Sequence, residues 1–291
     1  FNIVGTIVFL PFLGLIAKFV QHVSPQDVSR QIANAHTVFN VANTALLLPF
    51  SNYIINFINR VIPCEDNIEK AGPKYIDDRV LETPVIAAGQ VIKETIRMAN
   101  KAKENVELSM KAFVDDDEAL IEKVYENEKI INILEESITE YLVKLAKCDL
   151  SDKEKGIVAS TFHVVTDMER IGDHAENIAD LTIEKINKNL KYSEDAIAEL
   201  YEIYNSTLKA LEIAIDSYVN RDIVKAKSIL DVEDKIDAYQ RNYREKHIQR
   251  LYDGKCNAFA GAIYLDLISA FERIGDHSTN ISESVLENYV N

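Results

Sequence analysis

Four carboxylates carry the clearest chemical signal in this sequence. Glu169 and Asp173 stand four residues apart, and so do Glu272 and Asp276. On a helix that spacing puts both acids of a pair on one face, one turn apart, where like charges destabilise by about a few tenths of a kcal/mol. A hard or borderline cation shared by the pair would offset the repulsion, and carboxylate-rich helical bundles are a setting for iron or manganese. Asn177 and Asn280 extend the two faces, and Glu128 with Asn132 and Glu233 with Asp237 stand where a preceding helix could complete each ligand shell. The competing reading is two solvated acidic faces. Duplication favours metal: Glu169 to Ile178 and Glu272 to Ile281 are identical at eight of ten positions.

His174 and His277 directly follow the aspartates. Neighbouring helical residues point roughly 100° apart, so neither imidazole shares a face with its aspartate for acid–base work. No nucleophile, glycine-rich phosphate cradle or His-Glu-x-x-His accompanies them, and no enzyme active site is expected. The histidines are expected to hydrogen-bond within the core. Arg170 and Arg273 are expected either to pair with acids on neighbouring helices or to sit at an exposed rim.

The elements that must carry these residues follow from proline and charge. All six prolines lie at or before Pro84, so 207 residues follow without a helix breaker. Regular turn signals of a β protein are missing, and the body reads as all-α. Its helices are expected over about 85–113, 118–147, 151–189, 193–219, 222–253 and 256–289, with Ser151 and Glu154 forming a capping box. Phe113, Asp117 and Glu128 recur as Tyr218, Asp222 and Glu233 at an offset of 105, and the ten-residue blocks recur at 103. The six helices are therefore one three-helix unit used twice, at 85–191 and 192–291, rather than a coiled-coil rod.

Residues 1–63 hold only Lys18, Arg30 and Arg60 against Asp27, whereas the other 228 residues carry 29 of the 32 basic and 46 of the 47 acidic side chains. An overall charge of −15 argues against nucleic acid as a partner. Residues 3–20 and 37–59 are apolar enough to suggest two transmembrane helical segments, with a buried soluble hairpin as the alternative. The amides of the second segment should face protein or a polar cavity. FNIVGTIVFLPF (1–12) and FNVANTALLLPF (39–50) match at six of twelve positions. Pro11 and Pro49 then read as paired helix interruptions of the kind seen near transporter binding regions. Residues 62–84 read as an extended linker. The chain starts at Phe1 inside an apolar run and reads as the C-terminal part of a longer protein. The three cysteines form no Cys-x-x-Cys pair, which suits a reducing compartment.

The duplicated Glu-Arg-Ile-Gly-Asp-His blocks resemble the PhoU domain. The head, with Arg30-Gln-Ile-Ala-Asn-Ala-His36-Thr-Val-Phe-Asn40, is similar to the end of the membrane domain of bacterial type II-like Na+/phosphate cotransporters. The resemblance implies a transporter end at 1–61, a linker at 62–84 and a PhoU-like pair of three-helix bundles. It implies transition-metal clusters, iron first and manganese or zinc as alternatives, at Glu169 with Asp173 and at Glu272 with Asp276. It further implies sodium-coupled phosphate transport, with Na+, inorganic phosphate, the lipid bilayer and preceding transmembrane helices as partners. A homodimer and a multi-pass place in the cell membrane with the body cytoplasmic are expected too. The family's Gln-Ser-Ser substrate motifs are absent, so Asn2, Thr6, Asn40, Asn43 and Thr44 could give supporting contacts at most. The alternative function is a membrane-anchored PhoU-like regulator of phosphate uptake and signalling.

Overall fold

The computed structural model describes residues 9–25, 27–47 and 72–287. The chain divides into two compact units, one ending at Glu69 and the other beginning at Lys70.

In the first unit a 3-10 turn (Leu10–Phe12) runs into α1 (Leu13–Val23), which packs against α2 (Val28–Leu47) as a hairpin. The turn between them is held by Gln31, whose amide donates to the Ser24 carbonyl at 2.7 Å, and by Asn34, which donates to the Ser24 hydroxyl at 3.0 Å. Pro11 sits in the 3-10 turn between helical Phe9 and α1, and what precedes Phe9 lies outside the described residues. Pro49 lies outside the described residues.

Among the described residues no helix is long and apolar enough to cross a membrane. At 11 residues α1 is about 16 Å long by helical rise, roughly half of a hydrocarbon core. The 20 residues of α2 include Arg30, Asn34, His36, Asn40 and Asn43, which dilute its hydropathy. The expected spans at 3–20 and 37–59 are therefore not supported where they are described, and 3–8 and 48–59 lie outside. The expectation of a multi-pass protein of the cell membrane is corrected accordingly.

The second unit is all-helical. It comprises α3 (Pro84–Asp115), α4 (Glu118–Leu145), α5 (Asp152–Asn187), α6 (Glu194–Asn220), α7 (Ile223–Lys227), α8 (Leu230–Tyr252) and α9 (Ala258–Glu287). Side-chain caps start the helices where they were legible. Asp117 accepts from the amides of Ala119 and Leu120, Ser193 from that of Ala196, and Ser151 forms the capping box with Glu154. Helices α3, α4 and α5 pack together, as do α6, α8 and α9, and α5 lies along α9 to join the two sets. One apolar core runs through both, with Met98, Phe113, Leu134 and Met168 from the first set and Ile203, Tyr243, Tyr264 and Phe271 from the second. The helix expected over 222–253 is broken at Ser228 and Ile229. The Ser228 hydroxyl donates to the Lys225 carbonyl and competes with the helical ladder, while Ile229 turns into the core.

The described part of the expected extended linker is folded onto the bundle. Buried Glu94 accepts from the amides of Lys74 and Tyr75 at 2.7 and 2.5 Å and from Arg97 at 2.9 Å, and Arg97 also donates to the Gly72 carbonyl. A 3-10 turn (Asp78–Glu82) follows, pinned by Lys144 to Asp78 at 2.7 Å and by the Tyr141 hydroxyl to the Asp77 carbonyl.

Candidate metal centres

The duplicated motifs lie in the middle of α5 and α9, each facing the second long helix of its own set. On α9 and α8 the sequence places Asp276 opposite Glu233 and Asp237, which are one turn apart. One carboxylate oxygen from each of the three lies within 4.8 Å of the others. The three are crowded by charge. Burial raises the pKa of Asp276, and Asp237 raises it further; burial and Asp237 do the same for Glu233. Glu272 stands a turn before Asp276, and its pKa is raised by burial and then by Asp276 and Asp237. Arg241 reaches Asp237 at 3.3 Å. Three carboxylates brought this close, all oxygen donors, suit a hard divalent or trivalent cation.

The first set is built differently. Glu128 of α4 is 2% exposed and accepts a long hydrogen bond, 3.5 Å, from Asn105 of α3, whose amide also donates to the Val124 carbonyl at 3.1 Å. Burial pushes the Glu128 carboxyl up to about 8, helped by the nearby charges of Asp173, Glu176 and Glu169. Its second oxygen, the Asn105 carbonyl oxygen and the Asn127 amide nitrogen are buried without hydrogen-bond partners. Burial and then Asp173 raise Glu169. The unpartnered Glu128 and Asn105 oxygens could accept a cation, whereas the Asn127 amide nitrogen could not, and among the described residues Glu128, Glu169 and Asp173 do not converge as the α8 and α9 acids do.

Arg170 does not reach a neighbouring helix. It folds along its own, 2.9 Å from Asp173 and 3.5 Å from Glu169, and offsets part of their repulsion. Arg273 is exposed and lines an open cavity with His174. The histidines meet each other: their ring centroids are 5.6 Å apart, and His277 Nδ1 is 2.9 Å from Asp167. Burial, then His277, brings His174 down to about 4. Asn177 is exposed beside His174 in that cavity, and Asn280 donates to Asp167 at 3.3 Å, so neither amide is drawn into an acidic cluster.

Two residues that position Glu128 carry no such signal in the sequence. Gly172 leaves room for Glu128: a Cβ there would stand 2.5 Å from Glu128 Oε2 and 3.1 Å from Ile131 Cδ1. Asn105 orients the same carboxylate, and only its position on a third helix reveals it. In the first unit Asn40 is exposed and bonded to His36 at 3.0 Å, Thr44 is exposed, and Asn43 is buried with both amide atoms unpartnered. Asn2 and Thr6 lie outside the described residues.

The PhoU domain model matches residues 95–182 and 200–285. A PhoU homolog of Clostridium acetobutylicum, a phosphate-specific transport system accessory protein, is 25% identical over 195 residues, 66% of this chain and 88% of its own. PhoU homolog 1 of Thermotoga maritima is 28% identical over 170 residues, 58% of this chain and 72% of its own. The "putative inorganic phosphate export protein YjbB" of Escherichia coli K12 is 23% identical over 292 residues; it aligns with 99% of this chain, which spans about half (53%) of its length. Crystal structures of PhoU from Pseudomonas aeruginosa (TM-score 0.64, 24% identity, 69% of this chain and 95% of that one) and Streptococcus pneumoniae (0.65, 20%, 71% and 96%) share the fold. With two matched segments that together span more than half of its length, the chain belongs to the PhoU domain family.

Proposed function

We propose that this protein is a metal-dependent regulator of inorganic phosphate transport, acting through its two helical sets. The meeting of Glu233, Asp237 and Asp276 within 4.8 Å in a PhoU domain carries the reading. The relatives named above include accessory proteins of phosphate-specific transport systems, which favours regulation over sodium-coupled transport by this chain itself. Glu233, Asp237, Asp276 and Glu272 would hold metal in one set, and Glu128, Glu169 and Asp173 in the other. Iron or manganese suits all-oxygen donors better than zinc, which more often takes nitrogen or sulfur. A bound cation would tie α8 to α9, and α4 to α5, and so fix the relative set of helices that a partner reads. The residues supply negative charge and hold the helices at the spacing the ion needs.

One observation favours a second reading of scale. The alignment with YjbB runs through nearly the whole chain, first unit included, so the same regulator would be part of a larger phosphate-transport protein.

Metal analysis of the purified chain tests the first part. Asp237→Asn with Asp276→Asn should remove about half of the bound metal and abolish the rise in melting temperature that metal gives by mass action. Phosphate flux in cells carrying that double variant tests the second. Flux that ignores external phosphate supports regulation; unchanged flux with lost metal separates metal binding from it.

A further inference from the structure

The two helical sets repeat each other but differ in what covers one groove. In the first set, residues 72–82 lie as a strap along α3 and α4. Four side chains hold it there. Glu94 accepts from the Lys74 and Tyr75 amides, Arg97 donates to the Gly72 carbonyl, the Tyr141 hydroxyl donates to the Asp77 carbonyl at 3.2 Å, and Lys144 pairs with Asp78. At the offset of 105 their counterparts are Glu199, Glu202, Lys246 and Gln249. All four line one groove of about 510 Å³ between α6 and α8. The offset holds along both pairs of helices. Asp116 and Arg221, which follow α3 and α6, share a left-handed backbone with φ of 55° and 52°. Buried Ile131, Ile138 and Leu142 of α4 recur as buried Ile236, Tyr243 and His247 of α8.

The second groove carries no strap because of how the chain reaches it. Only six residues separate α5, which ends at Asn187, from α6, which begins at Glu194. Tyr192 among them lies 5.3 Å from Phe113 between ring centroids, and its hydroxyl donates to the Ala260 carbonyl at 3.0 Å. That short connection has no length left to cross α6 and α8. The Tyr192–Phe113 contact joins the start of α6 to the end of α3, while Ile92 and Tyr218 line one cavity at the other ends. The two helices are therefore antiparallel, and Glu94 and Glu199 lie at opposite ends of the unit. Gly72 and Val285, close to its first and last described residues, both stand at the Glu94 end.

Charge is inverted between the two grooves. At the first, Lys93, Arg97 and Lys144 outnumber Glu94, and the strap over them is acidic, with Asp77, Asp78 and Glu82 against Lys74 and Arg79. At the counterparts Asp195, Glu199 and Glu202 outnumber Lys246 and Arg250, and Ala198 replaces Lys93. Glu199 is held from within, by Arg250 at 2.7 Å, the Tyr264 hydroxyl at 2.6 Å and Lys246 at 3.4 Å, so the floor of the groove is closed. The Tyr243 hydroxyl steadies Glu202 on its wall. We propose that the groove between α6 and α8 binds an extended, basic segment of a partner protein, laid as the strap is laid between α3 and α4. Lys246 would reach a backbone carbonyl, as Tyr141 does, and Glu202 and Asp195 would take basic side chains. The partner itself rests on the regulatory reading above. The groove shares no residue with the metal ligands, so peptide binding holds or fails apart from metal content.

The test is fluorescence anisotropy of two labelled peptides with the full chain at about 0.15 M salt. One peptide has the sequence of residues 72–82; in the other, lysine stands at the places of Asp77, Asp78 and Glu82. The lysine peptide should bind saturably and roughly tenfold more tightly than the strap sequence. Glu202→Arg, which restores the charge of Arg97, should weaken its binding roughly tenfold or more. Ala198→Trp should fill the groove and abolish binding. Glu136→Arg makes the same charge change on an exposed turn of α4, outside the groove, and should leave affinity within about twofold. The proposal is overturned if the lysine peptide does not bind, if it binds no more tightly than the strap sequence, or if Glu202→Arg or Ala198→Trp binds as the parent does. It is equally overturned if Glu136→Arg weakens binding as much as Glu202→Arg, which would mark attraction to the acidic surface at large.

Discussion

Glu128 Oε2 occupies the space that a side chain on Gly172 would need. The glycine of the duplicated motif thus gives the carboxylate of the facing helix its place. Glycine inside a helix ordinarily costs about 1 kcal/mol against alanine. Here Gly172→Ala should reverse the usual sign and destabilise by about 1–2 kcal/mol, because Glu128 and Ile131 must both move in a packed interior. Urea denaturation would check this, and a more stable variant would refute it.

The buried Glu128 sets a pH dependence. Its folded pKa of about 8 lies above the ordinary 4.5, so its proton is held more tightly in the folded state. The stability this gives is full below the unfolded value and is lost as pH rises through the folded one. Chelator-treated protein should lose about 2–4 kcal/mol between about pH 5 and pH 8, and Glu128→Gln should flatten much of that slope. Denaturation midpoints across that range provide the measurement.

Glu94 closes the strap formed by residues 72–82. Removing its carboxylate in Glu94→Ala would strand the Lys74 and Tyr75 amides and take one partner from Arg97, at a cost of about 2–4 kcal/mol. Hydrogen exchange should rise sharply at residues 72–76 and little within α5. Unaltered protection there would show that the strap is held by other contacts.

Asp116 neutralises Lys185, which is nearly buried and also donates to the Phe113 carbonyl. Asp116→Asn keeps the left-handed backbone but leaves a buried ammonium without a counter-charge, for about 2 kcal/mol of lost stability. Lys185→Met in the same background should recover part of it, which a double-mutant cycle would resolve.

Much of the body was legible because duplication is written in residue identities. The recurrence of Asp117 and Glu128 at one offset marks the repeated unit, and Ser151 with Glu154 marks a helix start that the structure contains. What sequence spacing could not supply was rotation. Asn177 and Asn280 lie on the expected faces, yet helix packing turns them away from the acids; Asn105 and Gly172 acquire meaning only when three helices meet. Residues 72–82 read as part of an extended linker because their partner, Glu94, is about 20 residues downstream and looks like any helical acid. In the described part of the head apolar letters dominate the sequence, while Arg30, His36 and the amides of α2 lower its hydropathy.

The facing imidazoles of His174 and His277 sit where each copy of the repeat meets the other. Two identical subunits would be bound to place the same groups around both rings, and would hold two equal bases at close quarters. A fused repeat is free of that obligation. Asp167 attends His277, whereas the position related to it by the offset of 103 is Ala270, so His174 has no such carboxylate. Joining the copies in one polypeptide lets a symmetric fold carry one imidazole with a counter-ion and one without, a division of labour that identical subunits in a symmetric dimer could not adopt.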